Sequence, residues 1–201
     1  ALTADAPELS SITEACRNEG TLGSVMQFGS TSKITFAGAG IAFMGSSPDA
    51  LAAIKSHLGY QTIGPDKINQ LRHLRFLPDR AAIEAHMRHH ADLIGPKFEC
   101  VLAVLDRELG GAGIGEWTHP QGGYFISFDT LPGLAKTVVS LAAELGVKLT
   151  PAGATFPYGN DPEDRNIRLA PSFPSLEDVN TSAEVFALCV KLASVRQLLA
   201  S

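Results

Sequence analysis

The chain has 201 residues, 45% of them hydrophobic and 18% charged, which is enough apolar material for a packed core in one large domain or two small ones. Its formal net charge is -5, and no basic stretch could neutralise a run of phosphates, so no nucleic-acid partner is expected. No apolar run approaches the roughly 20 residues that span a bilayer, so we expect no membrane partner.

The first predicted elements are a helix and a strand. Residues 7–17 are predicted to form a helix that begins near Pro7 and ends before Gly20, which suits the left-handed position after a helix. Residues 24–28 read as a short buried strand that runs into the polar loop 29–33. Loops at strand ends are where α/β folds place chemistry.

A second strand and two helices follow. Residues 41–44 predict the strand, and Ser47 is expected to cap a helix that stops at Gly59. Residues 80–109 keep helical spacing of apolar side chains and predict one long helix, kinked near Pro96.

The last part predicts a compact α+β unit. It contains a strand over 123–128, a helix over 134–145, strands over 147–149 and 166–170, and a final helix opened by Ser175.

Cysteine and histidine positions argue against a metal site. Cys16, Cys100 and Cys189 are far apart and form no Cys-x-x-Cys pair, so neither a zinc site nor a disulfide framework is expected, and a reducing cytoplasm fits best. His86 and His90 share a helix face as two ligands would, but no third ligand accompanies them. We expect a solvated face there.

Lys33 is the first candidate for chemistry. It follows a glycine and three hydroxyl residues at the end of a predicted strand, where an amine can lose its proton and attack a carbonyl carbon. The hydroxyls of Ser30, Thr31 and Ser32 could hold a phosphate without help from a cation. A phosphorylated aldehyde cofactor would suit this set, although the spacing alone is also that of a plain polar turn.

Residues 29–40, Gly-Ser-Thr-Ser-Lys-Ile-Thr-Phe-Ala-Gly-Ala-Gly, resemble the Ser-x-Ser-Lys segment of fold-type I pyridoxal-phosphate-dependent aminotransferases, above all the aspartate aminotransferase branch. Three further segments match in the same order: 61–67 (Gln-Thr-Ile-Gly-Pro-Asp-Lys), 117–125 (Trp-Thr-His-Pro-Gln-Gly-Gly-Tyr-Phe) and 166–170 (Asn-Ile-Arg-Leu-Ala). The resemblance covers essentially the whole chain.

The resemblance implies an α/β fold of the type I pyridoxal-phosphate transferases. Residues 1–79 would be the end of the large mixed-sheet domain, 80–110 a long linker helix, and 111–201 the small C-terminal α+β domain. Relatives build each active site from two subunits, so a homodimer is expected.

The resemblance also assigns roles near the lysine. Lys33 would hold pyridoxal 5'-phosphate as a Schiff base and then move the proton at the substrate α-carbon. Ser30 would hydrogen-bond the cofactor phosphate, with Ser32 a weaker candidate, and Thr62 would reach the phosphate of the partner subunit.

Two residues of the last part are implied to bind substrate. Arg168 would grip the α-carboxylate, because a planar two-pronged donor suits that group; the alternative is an ion pair with Asp161, Glu163 or Asp164. Gly123 would bring the backbone close to the substrate, or else mark a bulge entering a strand.

The chain departs from the family pattern where many relatives carry a phosphate-binding arginine. The matching positions here are Gly40 and Ile41. Another cation must substitute, with Arg72, His73 and Arg75 as candidates, or the phosphate is held less tightly.

A second departure concerns length. The residues that contact the cofactor ring in relatives lie upstream of the lysine, and only 32 residues precede Lys33. We therefore expect a truncated chain that need not be active alone.

Three functions remain open from the sequence. The first is transfer of an amino group between an amino acid, aspartate or another dicarboxylic one, and a 2-oxo acid. The second is a lyase or decarboxylase that uses the same cofactor. The third is a non-catalytic ligand-binding relative.

Overall fold

The computed structural model describes residues 10–200, which form two compact units, one over residues 10–88 and one over 89–200. The first unit contains α1 (Ile12–Asn18), β1 (Gln27–Ser30), β2 (Ala42–Gly45), α2 (Pro48–Gln61) and α3 (Lys67–Phe76). Helix α4 (Arg80–Leu109) begins in the first unit and ends in the second. The second unit continues with β3 (Gly115–Trp117), β4 (Ile126–Thr130), α5 (Ala135–Glu144), β5 (Asn166–Leu169) and α6 (Leu176–Ala200).

Helix α1 starts later than its sequence suggested. The side chain of Ser11 accepts a hydrogen bond from a backbone N–H of the first turn, so residues 10 and 11 lie outside the helix. The predicted start at Pro7 lies outside the described residues. Gly20 has a φ of 69°, as expected for the left-handed residue after a helix.

Helix α2 begins as predicted and ends later. Ser47 caps it through the N–H of Ala50, at 3.4 Å. Gly59, the predicted stop, lies inside the helix, which continues to Gln61. A glycine ends a helix when it adopts a left-handed conformation, and Gly59 keeps helical geometry instead.

Strands β1 and β2 form a two-stranded antiparallel sheet in which Phe28 pairs with Met44 and Ser30 with Ala42. The second strand matches its prediction to within one residue. The first was predicted at residues 24–28 and buried, and both expectations were wrong: β1 is Gln27–Ser30, and Phe28 is 75% exposed. Within the described residues β1 has β2 as its sole strand partner, so its faces are not covered as they would be inside a larger sheet.

The core of the second unit forms between a three-stranded antiparallel sheet, ordered β3-β4-β5, and helices α4, α5 and α6. Residues alternate between buried and half-buried along β4 and β5, as a sheet with one covered face requires. Phe128 of β4 packs edge-on to Phe186 of α6, with ring centroids 5.0 Å apart, and stacks on Trp117 of β3 at 5.8 Å. These contacts fix β4, the strand with which β5, the strand of Arg168, is paired.

Several local predictions for this unit are confirmed. Helix α4 matches its predicted bounds and contains Pro96, helix α5 lies within one residue of its bounds, and strand β5 occupies 166–169. Ser175 opens α6, because its Oγ accepts from the Asp178 N–H at 3.1 Å.

The predicted strand at 147–149 does not form. Gly146 is left-handed, and the Val147 N–H donates to the Ala142 carbonyl at 2.8 Å, so this segment closes the end of α5 and pairs with no described strand. No helix in residues 10–200 has the length and apolar character needed to cross a membrane.

Candidate functional site

Lys33 lies in the loop that joins β1 to β2, where it is exposed. The base of this loop is closed by two hydrogen bonds between Thr31 and Ile41. The Thr31 N–H donates to the Ile41 carbonyl at 2.9 Å, and the Ile41 N–H donates to Thr31 Oγ1 at 2.8 Å. The lysine therefore stands two residues beyond a closed strand end, which is a more defined setting than a plain surface turn.

Ser30 and Ser32 lie together beside the lysine. Their Oγ atoms are 2.8 Å apart, and the Ser32 N–H donates to Ser30 Oγ at 3.1 Å. Both residues are exposed, so their hydroxyls are accessible to a ligand. Two neutral hydroxyls that converge one and three residues before a lysine are a donor set that suits a phosphate ester attached to an aldehyde.

Gly40, one of the two positions at which the resemblance predicted a phosphate-binding arginine, packs closely on Ser32. A Cβ built at Gly40 would collide with Ser32 Oγ and would lie 2.8 Å from Ser32 Cα. Any side chain at this position would thus displace the backbone that carries Ser32 and Lys33. The close approach of the two loop ends requires glycine, and it leaves no space for an arginine at position 40.

The three candidate cations that were to replace that arginine differ in their surroundings. His73 of α3 is 6% exposed, and its Nε2 contacts Thr31 Oγ1 at 3.0 Å and Thr35 Oγ1 at 2.9 Å. Its ring is therefore already hydrogen-bonded to the lysine loop. Arg72 is exposed and places its guanidinium carbon 5.5 Å from the ring centroid of Phe36, three residues after Lys33. Arg75 is exposed as well.

His86 also contacts the loop. Its Nε2 hydrogen-bonds the carbonyl oxygen of Ile34, the residue after Lys33, and its ring is half-buried against Phe76. The expected solvated face is therefore wrong for His86. No three side chains of residues 10–200 form a group that could hold a metal ion.

Arg168 occupies the middle of β5, opposite Ser127 of β4. Its Nε is buried and has no hydrogen-bond partner among the described residues, and its guanidinium carbon lies 4.4 Å from the ring centroid of Phe125. A buried guanidinium N–H without an acceptor is unfavourable, and a carboxylate would satisfy it.

The acids that might have paired with Arg168 are engaged elsewhere. Asp161 accepts backbone N–H groups, Glu163 pairs with Arg165 at 3.2 Å, and Asp164 lies 4.0 Å from Lys136. Within residues 10–200 the structure records no ion pair between Arg168 and any of the three. The surface ion pair considered from the sequence is thus not formed.

The Asp161 carboxylate binds the backbone of the residues that follow it, so it is not available to Arg168. The Asp161 carboxylate accepts the N–H of Arg165 and of Asn166, each at 2.8 Å, and that of Glu163 at 3.1 Å. The N–H of Asn166, followed by those of Arg165 and Glu163, lowers the pKa of Asp161 against the opposing effect of burial. Asp161 therefore organises the turn that leads into β5.

Gly123 lies in the turn before β4 and has a φ of 86°, in the left-handed region that favours glycine. It is exposed, and a Cβ there would meet no atom within 4 Å. Gly123 is therefore a turn residue, and it does not form a bulge in β4, which begins at Ile126. Phe125, two residues on, provides the link from this turn to Arg168.

The predicted site residues thus fall into separate groups. Ser30, Ser32 and Lys33 share one loop of the first unit, while Thr62 lies at the end of α2 and is exposed. Arg168 belongs to the second unit, where it also lines a cavity of about 590 Å³. This volume is within the range of small-molecule pockets.

A model of one protein family, described as aspartate amino-transferase, matches residues 1–201. The chain belongs to this aspartate aminotransferase family. A Mycolicibacterium smegmatis relative, whose name places it among the aminotransferases, is 52% identical over 172 residues, which is 86% of this chain and 40% of the relative. The aspartate aminotransferase of Corynebacterium glutamicum is 44% identical over 193 residues, 96% of this chain and 45% of that protein.

Solved structures show the same fold. An aspartate transaminase of Corynebacterium glutamicum superposes with a TM-score of 0.91 at 43% identity, over 98% of this chain and 46% of that one. An α-aminoadipate aminotransferase of Thermus thermophilus superposes with a TM-score of 0.77 at 24% identity, over 94% of this chain and 47% of that one. The chain has the α/β fold of pyridoxal-phosphate-dependent aminotransferases and spans less than half the length of these relatives.

Proposed function

We propose that the complete protein is an aminotransferase that moves an amino group between an amino acid and a 2-oxo acid, with pyridoxal 5'-phosphate attached to Lys33. The observation that carries the proposal is the closed loop after β1, which presents Lys33 beside two converging hydroxyls in a chain of the aspartate aminotransferase family. The Corynebacterium glutamicum relative is named an aspartate aminotransferase, which supports aspartate, or another dicarboxylic amino acid, as the donor.

The residues present fit the cofactor. The hydroxyls of Ser30 and Ser32 would hold its phosphate, and glycine at position 40 keeps their backbone close to the loop end. When bound, pyridoxal phosphate supplies an aldehyde for an amine and a ring that accepts electrons from the substrate α-carbon. Lys33 would move the proton at that carbon, because its amine is a base on the same loop as the two serine hydroxyls.

Arg168 would orient the substrate. Its unsatisfied Nε and its stacking on Phe125 prepare a planar donor for one carboxylate, and the cost of that buried N–H is removed when the carboxylate binds. An arginine held by an aromatic ring loses little side-chain freedom on binding, which favours a specific pose. The exposed Gly123 turn supports this arrangement by positioning Phe125 two residues later.

Two further parts of the proposal concern the oligomeric state and the cellular location. A homodimer, with Thr62 reaching the partner's cofactor phosphate, is supported by the exposure of Thr62 and of the fully exposed apolar Ile63 beside it. Light scattering that shows a monomer at working concentration would contradict it. A cytoplasmic location, favoured by three separated free cysteines, stays a prediction.

The test is to mix the full-length protein with pyridoxal phosphate, reduce with borohydride and locate the added mass by peptide mass spectrometry. Lys33 should carry the label, and Lys33→Arg should lose it. Lys67→Arg is the matched control, because Lys67 is an exposed lysine of the same unit at the start of α3. An unlabelled Lys33 in a folded protein would favour the non-catalytic alternative.

A labelled protein must next be assayed for its products. Formation of a 2-oxo acid from aspartate, dependent on a second 2-oxo acid, identifies an aminotransferase. Release of carbon dioxide or ammonia without an acceptor would identify the decarboxylase or lyase instead.

A further inference from the structure

We propose that His73 of α3 is a positioning residue that holds the lysine loop on both sides of Lys33. The inference rests on the proposed function, because it concerns how Lys33 is presented to the cofactor. It begins from burial: His73 is 6% exposed, and no other residue between 10 and 88 is buried. A histidine is an unusual choice for the most enclosed position of a unit, and its ring must be hydrogen-bonded there.

Both ring nitrogens of His73 have partners. Nδ1 lies 2.9 Å from the carbonyl oxygen of Asn69, one turn earlier in α3. A carbonyl can only accept, so Nδ1 donates this hydrogen bond. Nε2 lies 3.0 Å from Thr31 Oγ1 and 2.9 Å from Thr35 Oγ1, within hydrogen-bond distance of both hydroxyls.

The two threonines flank the lysine symmetrically, at two residues before and two after Lys33. Within the loop, the N–H groups of Ile34 and Thr35 both donate to the Thr31 carbonyl, at 3.0 and 2.9 Å. Thr35 Oγ1 also lies 2.9 Å from that carbonyl. One ring atom on α3 thus contacts both ends of the single turn that carries Lys33.

A second layer supports this contact. Phe36 packs edge-on to the His73 ring, at 5.4 Å between centroids, and at the same distance from Phe76. Phe76 packs edge-on to His86 at 5.0 Å, and His86 hydrogen-bonds the Ile34 carbonyl.

Asn69 extends the hold to the far end of the loop. Its Nδ2 donates to the Ala39 carbonyl at 2.8 Å, next to the Gly40 position that packs on Ser32. Residues 31, 34, 35 and 39 are therefore fixed to α3 or α4 by side-chain hydrogen bonds. Lys33 lies within the segment held by these bonds.

Precise placement matters because proton transfer and attack on a carbonyl demand a narrow geometry. A misplacement of about 1 Å can reduce a rate by about a hundredfold. A residue that only stabilised the fold would change the melting temperature without selectively changing the turnover of folded, loaded enzyme. His73 should act on the turnover and on cofactor attachment, and hardly on substrate affinity.

The experiment compares His73→Leu, His73→Gln and His57→Leu in the full-length protein loaded with pyridoxal phosphate. Gln can place a side-chain amide, which both donates and accepts hydrogen bonds, near the position of Nε2, whereas Leu cannot. His57 is the matched control: its Nδ1 lies 2.9 Å from the carbonyl of Ala53, one turn earlier in α2, just as His73 contacts Asn69, but its ring contacts are to its own helix. Each variant is assayed below its measured melting temperature.

His73→Leu should lower kcat by about tenfold to a hundredfold and leave KM for the amino donor within about twofold. His73→Gln should recover most of the loss, and His57→Leu should match the wild type. In the protein without cofactor, hydrogen exchange at the amides of Ile34 and Thr35 should quicken in His73→Leu, and borohydride should trap less cofactor on Lys33 at limiting pyridoxal phosphate.

Should His73→Leu fail to fold, Thr35→Val removes one of the two hydroxyls at nearly constant volume and is expected to show a smaller loss of the same kind. If folded His73→Leu has the same turnover and traps as much cofactor as the wild type, the inference is overturned and the proposed function still stands. Where His73→Leu does not fold, the same result in Thr35→Val overturns it. A wild type that takes no label on Lys33 would overturn the proposed function and this inference together.

Discussion

Gly40 packs on the backbone of Ser32 so closely that an added Cβ would lie 2.8 Å from Ser32 Cα and 2.9 Å from Ser32 N. Contacts under 3.0 Å with backbone atoms require the backbone to move. Because Lys33 follows Ser32 directly, any such movement is transmitted to the lysine. The observed shape of the lysine loop therefore requires glycine at position 40.

Gly40→Ala should therefore weaken cofactor binding. Overpacking of this kind costs about 1–3 kcal/mol, and a loss of that size in cofactor binding raises the Kd of pyridoxal phosphate by about fivefold to a hundredfold. Gly45→Ala is the matched control, because Gly45 lies in β2 and a Cβ there would meet nothing within 4 Å. An absorbance titration measures both variants, and equal Kd values for the two would contradict the proposed constraint.

The serine hydroxyls should contribute unequally to cofactor retention. Ser30 accepts the Ser32 N–H and is the proposed phosphate ligand, so Ser30→Ala should raise the Kd of pyridoxal phosphate by about tenfold, the equivalent of one lost hydrogen bond. Ser32→Ala should have a smaller effect. Ser56→Ala, on exposed α2, serves as control, and an effect of Ser56→Ala as large as that of Ser30→Ala would remove the case for a phosphate contact.

Arg168→Lys should impair substrate binding although it keeps the charge. Lysine cannot present two parallel N–H donors or stack on Phe125 as the guanidinium does, so KM for the amino donor should rise at least about tenfold. Arg165→Lys is the control, because Arg165 pairs with Glu163 at 3.2 Å and donates to the Thr130 carbonyl. Steady-state kinetics with an unchanged KM in Arg168→Lys would argue against a role in holding the carboxylate.

Asp161 should make stability depend on pH. Asp161→Asn should destabilise the protein by about 1–3 kcal/mol near neutral pH, because the charged acceptor of three backbone N–H groups is lost. The folded state lowers the pKa of Asp161, so its contribution is present above the ordinary carboxyl pKa and is lost as pH falls through the lowered value.

Thermal unfolding followed over pH checks this sign. The difference in melting temperature between wild type and Asp161→Asn should be largest near neutral pH and should shrink under acid conditions. Glu163→Gln, which removes an exposed pairing with Arg165, should change stability little at any pH. A difference that grows on acidification would refute the assignment.

Features set by neighbouring residues were accessible from the sequence. Ser47 and Ser175 cap their helices because a cap needs only the N–H groups of the next turn. The family resemblance was equally accessible, because it rested on short segments such as the one around Lys33, and the family model that matches residues 1–201 confirms it. The segment 147–149 was misjudged because its apolar pattern is that of a strand, while the left-handed Gly146 turns it back onto α5.

The sequence by itself determined which chemical groups are candidates for the site, namely the lysine, its hydroxyl neighbours and the arginine of β5, and their order along the chain. Only the tertiary structure decided that His73, 40 residues after Lys33, is enclosed between Thr31 and Thr35, and that Gly40 lies against Ser32. The physical reason is distance along the chain: a hydrogen bond or a steric contact between residues far apart in sequence depends on how the intervening helices fold back, and no local pattern encodes that return.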